Sequence, residues 1–503
     1  MSNITDSFLA RNIFFNFIGK GYSAIINVLV LPFYLSYLSA EAFGVIGFFT
    51  VLLGWLTLLE VGLSSIMLRE SAKLGKVIEL KKILRTVEFF FLGLAILIVF
   101  LVSRGSEWLA NDWLQVESLN LDQVIYSIEI MSVLISLKLI SSMYKGVISG
   151  HEDQVWLNIH TILINTFKFL GGLLVIIYAS SDLSIYFEYQ LIIGMFELVW
   201  IFLRAYKFVP KTNYWVRPTY NAIKNSIPFG LSIVYTSALW VIFIQIDKLI
   251  LSHILSLEKF GYYTLVVVIV NGIGVMISSP IGDAVKPRMV KLINENKVDE
   301  MIRLYRGSTK STSILSFSIC GIFATFPEQL IYAWSGNLTA AKWSSSILTW
   351  YIMGSAMLML SYFQFFLQFA YGKLRHHVQG ATFFGILQIL VMSISAYEYG
   401  AIGASIAWFF IQFITLFLWS AYIHGKFLPG LHSKWILKDV LQVMIVNITA
   451  YLLLANQNIL WASYDRKETI LMVFLIFIFV ISANLLIFNK TIKFTLRKVR
   501  SND

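Results

Sequence analysis

Long apolar segments recur along the whole chain and restrict it to one class of fold. A helix that crosses a bilayer needs roughly 20 mostly apolar residues, and about fourteen segments of the sequence meet that requirement. Only 13% of the 503 residues are charged, whereas soluble domains carry roughly 25%. The sequence therefore predicts an all-α polytopic membrane protein, with spans near 12–36, 44–67, 86–103, 123–144, 156–179, 185–203, 227–251, 261–284, 312–333, 346–370, 378–397, 401–423, 439–456 and 469–489.

Lysine and arginine residues are distributed unevenly between alternate connecting segments. With the N-terminus in the cytoplasm, thirty of them fall in predicted cytoplasmic segments and five in predicted outer segments. This imbalance agrees with the positive-inside rule, so we expect both termini in the cytoplasm. The formal net charge of +11 is then explained by orientation and by contacts with membrane lipids, and we expect no nucleic-acid partner.

A heptapeptide occurs twice, at Leu38–Gly44 and Leu255–Gly261, with the pattern L-S-x-E-x-F-G and an offset of 217 residues. Six predicted spans separate the copies, and an even number predicts two parallel repeats. Each copy is interpreted as an outer turn with an exposed glutamate and a glycine that permits close helix packing. The predicted domains are an N-terminal six-helix bundle at 1–203, a cytoplasmic linker at 204–226, a C-terminal six-helix bundle at 227–423, and two additional transmembrane helices with a basic cytoplasmic tail at 424–503.

Three lysines fall inside predicted spans of the first bundle. Lys20, Lys138 and Lys168 predict a cationic cavity suited to an anionic ligand, because ionisable residues at membrane depth usually face a cavity or a partner. Lys20 and Lys138 have the alternative of extending to the headgroups, which is harder for the more central Lys168. Lys168 is therefore the first candidate for substrate binding.

Several other residues are weaker candidates. Glu129 and Glu197 would either pair with the lysines or carry coupling protons, Asp247 and Lys248 would either pair across the lumen or lie among the headgroups, and His160 is a further residue of interest. Gln364 and Gln368 suit sugar hydroxyls, with hydrogen bonding between helices as the alternative. Pro32, Pro228 and Pro280 are candidates for gating through helix bends, or else packed kinks.

No loop is long enough for a soluble catalytic domain, so we predict that the protein is not an enzyme. The single cysteine, Cys320, excludes an intramolecular disulfide. No metal site and no cofactor are expected, although H+ or Na+ would serve as a coupling ion.

The segments Leu31–Tyr34, Leu38–Gly44, Asp247–Leu249 and Leu255–Gly261 resemble the bacterial O-antigen and polysaccharide flippases of the multidrug, oligosaccharidyl-lipid and polysaccharide export superfamily. The resemblance extends over the whole chain in length, span number and repeat. It implies a V-shaped pair of six-helix bundles around a central cavity, in the bacterial cytoplasmic (inner) membrane. The implied activity moves an undecaprenyl-pyrophosphate-linked oligosaccharide to the periplasmic leaflet by alternating access.

This resemblance implies a lipid-linked oligosaccharide as substrate, and a polysaccharide polymerase and chain-length proteins as partners. Two alternatives share the architecture, namely an ion-coupled drug exporter and a lipid II flippase. The drug exporter ranks lower, because a site for cations should be rich in acids rather than lysines. A membrane-embedded polymerase or glycosyltransferase is a third alternative, but it would normally carry a long outer loop with catalytic residues.

Overall fold

The computed structural model describes residues 2–74, 78–224, 226–456 and 465–500, and every regular element in these ranges is helical. Four short segments are π-helical, at Leu109–Trp113, Phe167–Gly171, Thr415–Trp419 and Ile436–Leu441. The α-helices are α1 Ser2–Tyr37, α2 Ala40–Leu74, α3 Ile78–Trp108, α4 Leu121–Gly150, α5 Gln154–Thr166, α6 Gly172–Tyr178, α7 Leu183–Ala205, α8 Tyr220–Ile223, α9 Ile227–Ile254, α10 Leu257–Asn294, α11 Val298–Thr325, α12 Pro327–Ser335, α13 Leu338–Ala370, α14 Arg375–Ile414, α15 Ser420–Phe427, α16 Leu431–Trp435, α17 Gln442–Ala455 and α18 Arg466–Arg500.

The predicted all-helical membrane architecture is confirmed. Within the described ranges, 11 helical segments are long and apolar enough to cross a membrane, or 12 if α11 and α12, bent by 85°, form one span. One segment, Arg375–Phe427, covers two of the predicted spans and turns at Gly400, where φ is 60° and ψ is −146°. Glycine tolerates this left-handed corner because it has no Cβ. The count of fourteen spans stays a prediction.

The chain divides into two compact units, residues 1–261 and 262–503, called here the first and second units. Helix α9 belongs to the first unit, where it packs along α2. The predicted domain boundaries near residues 203 and 227 follow the sequence repeat rather than these contacts, and they stay a prediction.

The hydrophobic interior of the first unit is built mainly around α4, which packs against α2, α3 and α7. Leu84 of α3, Leu139 of α4 and Ile201 of α7 belong to one buried cluster. This arrangement places Lys138 of α4 beside residues of α7, because the two helices pack along one another. The packing therefore positions charged side chains that are far apart in the sequence.

The two copies of the repeated heptapeptide pack against each other within the first unit. A Cβ added to Gly261 would lie 2.7 Å from the backbone oxygen of Ala40, and one added to Gly44 would collide with the backbone oxygen of Leu257. Each glycine thus faces the backbone of the other copy. The predicted role of glycine in close helix packing is confirmed at both positions.

The predicted exposure of the heptapeptide glutamate is wrong for the first copy. Glu41 is buried, and its carboxylate accepts hydrogen bonds from the backbone N–H groups of Glu117, Ser118 and Leu119 at 2.6, 2.8 and 3.0 Å. Charge-assisted bonds of this kind stabilise a buried carboxylate. Glu258, the corresponding residue of the second copy, is exposed. The carboxylate of Glu41 therefore fixes the connection between α3 and α4.

A buried polar network joins three helices of the second unit. Asn484 of α18 donates to Asn447 of α17 at 3.0 Å and to Ser318 Oγ of α11 at 3.2 Å. Interhelical hydrogen bonds between such side chains stabilise helix packing in a lipid environment. This network fixes α17 and α18 on the surface of α11.

Candidate functional site

The apolar stretch from Gln154 to Tyr178 is interrupted by the π-helical turn Phe167–Gly171, which carries Lys168. Side chains satisfy the carbonyl groups of this turn: Tyr34 donates to Phe169 O at 2.8 Å, Tyr189 to Phe167 O at 2.8 Å, and Gln190 to Lys168 O at 2.9 Å. Turns of this type are common at functional sites. Helices α1 and α7 thus hold the backbone of Lys168 in place.

A single carboxylate joins two lysines beside this turn. Glu197 of α7 accepts from Lys145 Nζ through Oε1 at 2.8 Å and from Lys168 Nζ through Oε2 at 2.6 Å. The carboxylate side chain is 10% exposed, whereas those of Lys145 and Lys168 are 36% and 27% exposed. Both lysines therefore keep part of their surface outside the contact with Glu197.

Two further charged residues complete the group called here the Lys–Glu cluster, made of Glu60, Lys138, Lys145, Lys168 and Glu197. Glu60 of α2 interacts electrostatically with Lys138 and Lys145 of α4. Its Oε1 atom is buried and accepts no hydrogen bond within the described part of the chain. Three lysines and two glutamates give the cluster a formal charge of plus one, which favours an anion.

His160 of α5 lies next to the Lys–Glu cluster and contacts the rings of two tryptophans. Its ring is stacked on Trp156 at 5.0 Å between centroids and meets Trp200 nearly edge-on at 4.8 Å. The side chain is 1% exposed, and neither ring nitrogen has a hydrogen-bond partner among the described residues. A buried imidazole without partners is costly and calls for an explanation.

The structure brings together three of the residues that the sequence singles out: Lys138, Lys168 and Glu197. The side chain of Lys20 lies outside the described residues. Glu129 is half-buried on α4, nine residues before Lys138 and so about 13 Å away along the helix axis. Glu129 is therefore not brought into the cluster.

Two other predicted pairs are each formed within a single helix. Lys248 Nζ is 3.1 Å from Oδ1 of Asp247, and both residues of this α9 pair are buried. Gln368 Nε2 donates to Gln364 Oε1 at 2.6 Å, so these two amides of α13 pair along one helix. Their roles in binding or coupling stay predictions.

The candidate gating prolines occupy different positions in their helices. Pro32 lies inside α1 and Pro280 inside α10, where a missing N–H group weakens the helix. Pro228 is in the first turn of α9, where no helical hydrogen bond is lost. Gating by any of the three stays a prediction.

Sequence reasoning missed Glu60, and it counted Lys145 among the predicted cytoplasmic residues rather than with the lysines of the first bundle. Helix α4 continues to Gly150, so Lys145 lies within the helix, seven residues after Lys138. Residues seven apart share one helix face, and that spacing could have identified Lys145. Glu60, an acid inside an apolar stretch, carried the same kind of signal as Lys168.

The family described as "Polysaccharide biosynthesis protein" matches residues 9–293, more than half of the chain. A Shigella flexneri protein named "Putative O-antigen transporter" is 22% identical over 418 residues, which are 80% of this chain and 94% of that protein.

Two solved structures are similar in fold. The lipid II flippase MurJ in an inward closed conformation has a TM-score of 0.75 at 15% identity, covering 95% of this chain and 100% of that one. An inward-facing multidrug resistance transporter of the MATE family, in the MOP superfamily, has a TM-score of 0.65 at 15% identity, covering 81% and 96%. At this identity the likeness shows the fold, which is that of MOP-superfamily transporters.

Proposed function

Because this chain belongs to the polysaccharide biosynthesis protein family, we propose that it is a flippase for a lipid-linked oligosaccharide. The substrate is an undecaprenyl-pyrophosphate-linked oligosaccharide, an O-antigen or related polysaccharide repeat unit. It moves from the cytoplasmic to the periplasmic leaflet by alternating access. The name of the Shigella flexneri relative, an O-antigen transporter, supports this substrate class.

The observation that carries the proposal is the pair of lysines held by one carboxylate. Lys145 and Lys168 both contact Glu197 in segments apolar enough to span a membrane. A pyrophosphate offers oxygen atoms that accept charge-assisted hydrogen bonds from ammonium groups. The two ammonium groups are spaced to bind both carboxylate oxygens of Glu197, and the same spacing suits two oxygens of a pyrophosphate.

Glu197 then acts as a resident counter-ion. Without substrate it neutralises the two lysines and reduces the cost of burying them. With substrate, the pyrophosphate replaces the carboxylate on at least one lysine, so the substrate binds only if its own contacts outweigh those of Glu197. The lipid chain remains in the bilayer throughout, and no covalent bond is made or broken.

The protein lies in the bacterial inner membrane with both termini in the cytoplasm, and H+ or Na+ drives the exchange between conformations. A polysaccharide polymerase and chain-length proteins act on the product. Glu129, Asp247 and the amides of Gln364 and Gln368 are proposed to assist coupling and sugar binding.

A second candidate substrate is lipid II, which also carries a pyrophosphate. It is supported by the fold likeness to the lipid II flippase MurJ over 95% of this chain. A flippase for lipid II is needed for cell-wall growth, whereas one for a polysaccharide unit is needed for surface polymer. The consequences of deletion therefore separate the two.

Deletion of the gene tests the function. Loss of surface polysaccharide with retention of the lipid-linked intermediate in the cytoplasmic leaflet is the expected result. Cell lysis with normal polymer would favour lipid II instead. Loss of polymer while the intermediate reaches the outer leaflet normally would contradict both flippase assignments.

The variant Lys168→Ala tests the site. Export should fall by about tenfold to about 100-fold, because a charge-assisted hydrogen bond is lost. The measurement is surface polysaccharide at equal membrane levels of the two proteins. Lys207→Ala, at an exposed lysine beyond the end of α7, is the control and should export normally. Normal export by Lys168→Ala would remove Lys168 from the site.

A further inference from the structure

His160 is a buried titratable group that the proposed transport cycle does not yet use. A neutral imidazole has one N–H donor and one acceptor nitrogen. Both nitrogens of His160 lack a partner within the described structure, although the side chain is 1% exposed. A neutral ring therefore leaves its donor and its acceptor unsatisfied in this position. Hydrogen bonding does not explain why a histidine is buried here.

Contacts with two tryptophans provide another explanation, because the face of an indole ring attracts a cation more strongly than a neutral ring. A positive charge over an indole face is attracted by the negative face of the ring, most strongly where water is excluded. Trp156 is stacked on the imidazole with an angle of 22° between the planes, and Trp200 closes a second side at 62°. The tryptophans therefore offset part of the cost of burying an imidazolium, and an anion bound nearby would have to supply the rest.

Charged groups from each neighbouring element decide when the cation forms. Helix α7 brings Glu197. Arg204 of the same helix lies over the Trp156 ring at 5.3 Å and is paired with Asp153, which precedes α5, with Nε at 2.8 Å from Oδ2. Helix α4 brings Lys145 and the π-helical turn brings Lys168. From α1, Tyr22 hydrogen-bonds to Thr166 of α5 at 2.6 Å. Cations therefore predominate around His160 while the lysines hold no external anion.

We propose that His160 takes up a proton from water when an anionic substrate binds Lys145 and Lys168, so that binding of the substrate is linked to pH. The proposal rests on the proposed function and names the residue that links proton uptake to anion binding at the same site. A pyrophosphate diester carries a negative charge on each phosphate, which reverses the formal charge of the Lys–Glu cluster from plus one to minus one. The proton bound by an imidazole nitrogen then restores neutrality.

The coupling must be reciprocal. If the anion promotes protonation of His160, protonation of His160 strengthens binding of the anion by the same factor. Affinity should therefore fall as the pH rises through the range in which histidine titrates. The fall is at most about tenfold per pH unit, because a single proton is involved.

Isothermal titration calorimetry on the full-length protein in lipid nanodiscs tests this inference. The probe is UDP-glucose, a soluble pyrophosphate diester that does not itself titrate between about pH 5 and about pH 8, where histidine does. Titrations in two buffers of different ionisation enthalpy report the protons taken up on binding. The wild-type protein should take up on the order of one proton per ligand.

Two variants remove the titrating group in different ways. His160→Phe keeps an aromatic ring between the tryptophans, and His160→Gln keeps a donor and an acceptor, so at least one should fold normally. Either should bind the probe without proton uptake and with an affinity independent of pH. His376→Phe, at a half-buried histidine of the second unit, is the control and should behave as the wild type.

Three outcomes would overturn the inference. Binding without proton uptake by the wild type would exclude coupling at this site and leave the flippase proposal standing. Equal uptake by the wild type and a folded His160 variant would assign the proton elsewhere. No probe binding by the wild type would overturn this inference together with pyrophosphate recognition by the Lys–Glu cluster.

Discussion

Glu197 is the residue on which the charge balance of the first unit depends. One carboxylate bridges Lys145 and Lys168, and its side chain is largely buried. Breaking a buried ion pair costs more than the pair contributes, because the remaining charge is left without a partner. Glu197 therefore has two separable effects, on stability and on competition with an anionic ligand.

The variant Glu197→Gln should separate these effects. Without ligand, its free energy of unfolding should be lower by about 3 kcal/mol or less, since the lysines keep partial access to water. Added pyrophosphate diester should raise its melting temperature more than that of the wild type, because the competing carboxylate is gone. Thermal unfolding in nanodiscs measures both quantities.

The control for this variant is Glu188→Gln. Glu188 is an exposed residue of the same helix that accepts from Tyr126 Oη at 3.1 Å. Its loss should leave the melting temperature nearly unchanged, with or without ligand. A Glu197→Gln protein as stable as Glu188→Gln, and no more responsive to the ligand, would show that Glu197 is not a counter-ion.

At the scale of helices, the contact between the repeated heptapeptides leaves no room for a side chain at Gly44 or Gly261. Gly44→Ala would place a Cβ against the backbone of Leu257, which cannot move as a flexible side chain would. We expect a loss of about 1–3 kcal/mol in the free energy of unfolding, measured by thermal denaturation.

Gly93→Ala is the control for this substitution. A Cβ at Gly93 meets nothing within 4 Å, and alanine in a helix interior is favoured over glycine by about 1 kcal/mol. The two variants should therefore change stability in opposite directions. Equal stabilities would mean that the close approach of the two copies is not a constraint.

Sequence reasoning located some elements of the site better than others. The apolar lengths predicted helices, and the rarity of charge within them identified Lys138, Lys168 and Glu197, because burial of an ion is costly wherever the chain folds. The π-helical turn at Phe167–Gly171 was not predicted, since one additional residue leaves hydropathy unchanged. The burial of Glu41 was also missed, because it depends on a loop 76 residues away in the sequence.

At the scale of the whole molecule, the family resemblance is confirmed by the match to the polysaccharide biosynthesis family and by the transporter fold. Length and hydropathy were sufficient for the fold class, because a bilayer permits few spanning structures. They could not place α9, which clusters with the first unit through its contacts with α2. Contacts between helices distant in sequence leave no periodic pattern.

The predicted orientation of the molecule can be tested with single cysteines. Lys297→Cys lies in a predicted cytoplasmic segment and Lys342→Cys in a predicted periplasmic one, and both positions are exposed. In intact spheroplasts, a membrane-impermeant maleimide should label Lys342→Cys and leave Lys297→Cys unlabelled until the membrane is opened. The native Cys320 is buried and should contribute little background. The reverse labelling pattern would invert the proposed direction of transport.

The π-helical turn that carries Lys168 has a consequence for how variants of this chain should be compared. An extra residue in a helix rotates everything beyond it by about 100° relative to an uninterrupted α-helix, given 3.6 residues per turn. Loss of one codon within Phe167–Gly171 would therefore turn α6 about its own axis while leaving the composition almost unchanged. A single deletion there should be more harmful than most substitutions. If the sequence of such a variant is aligned with the gap at another position, the alignment would pair lysines that face different directions.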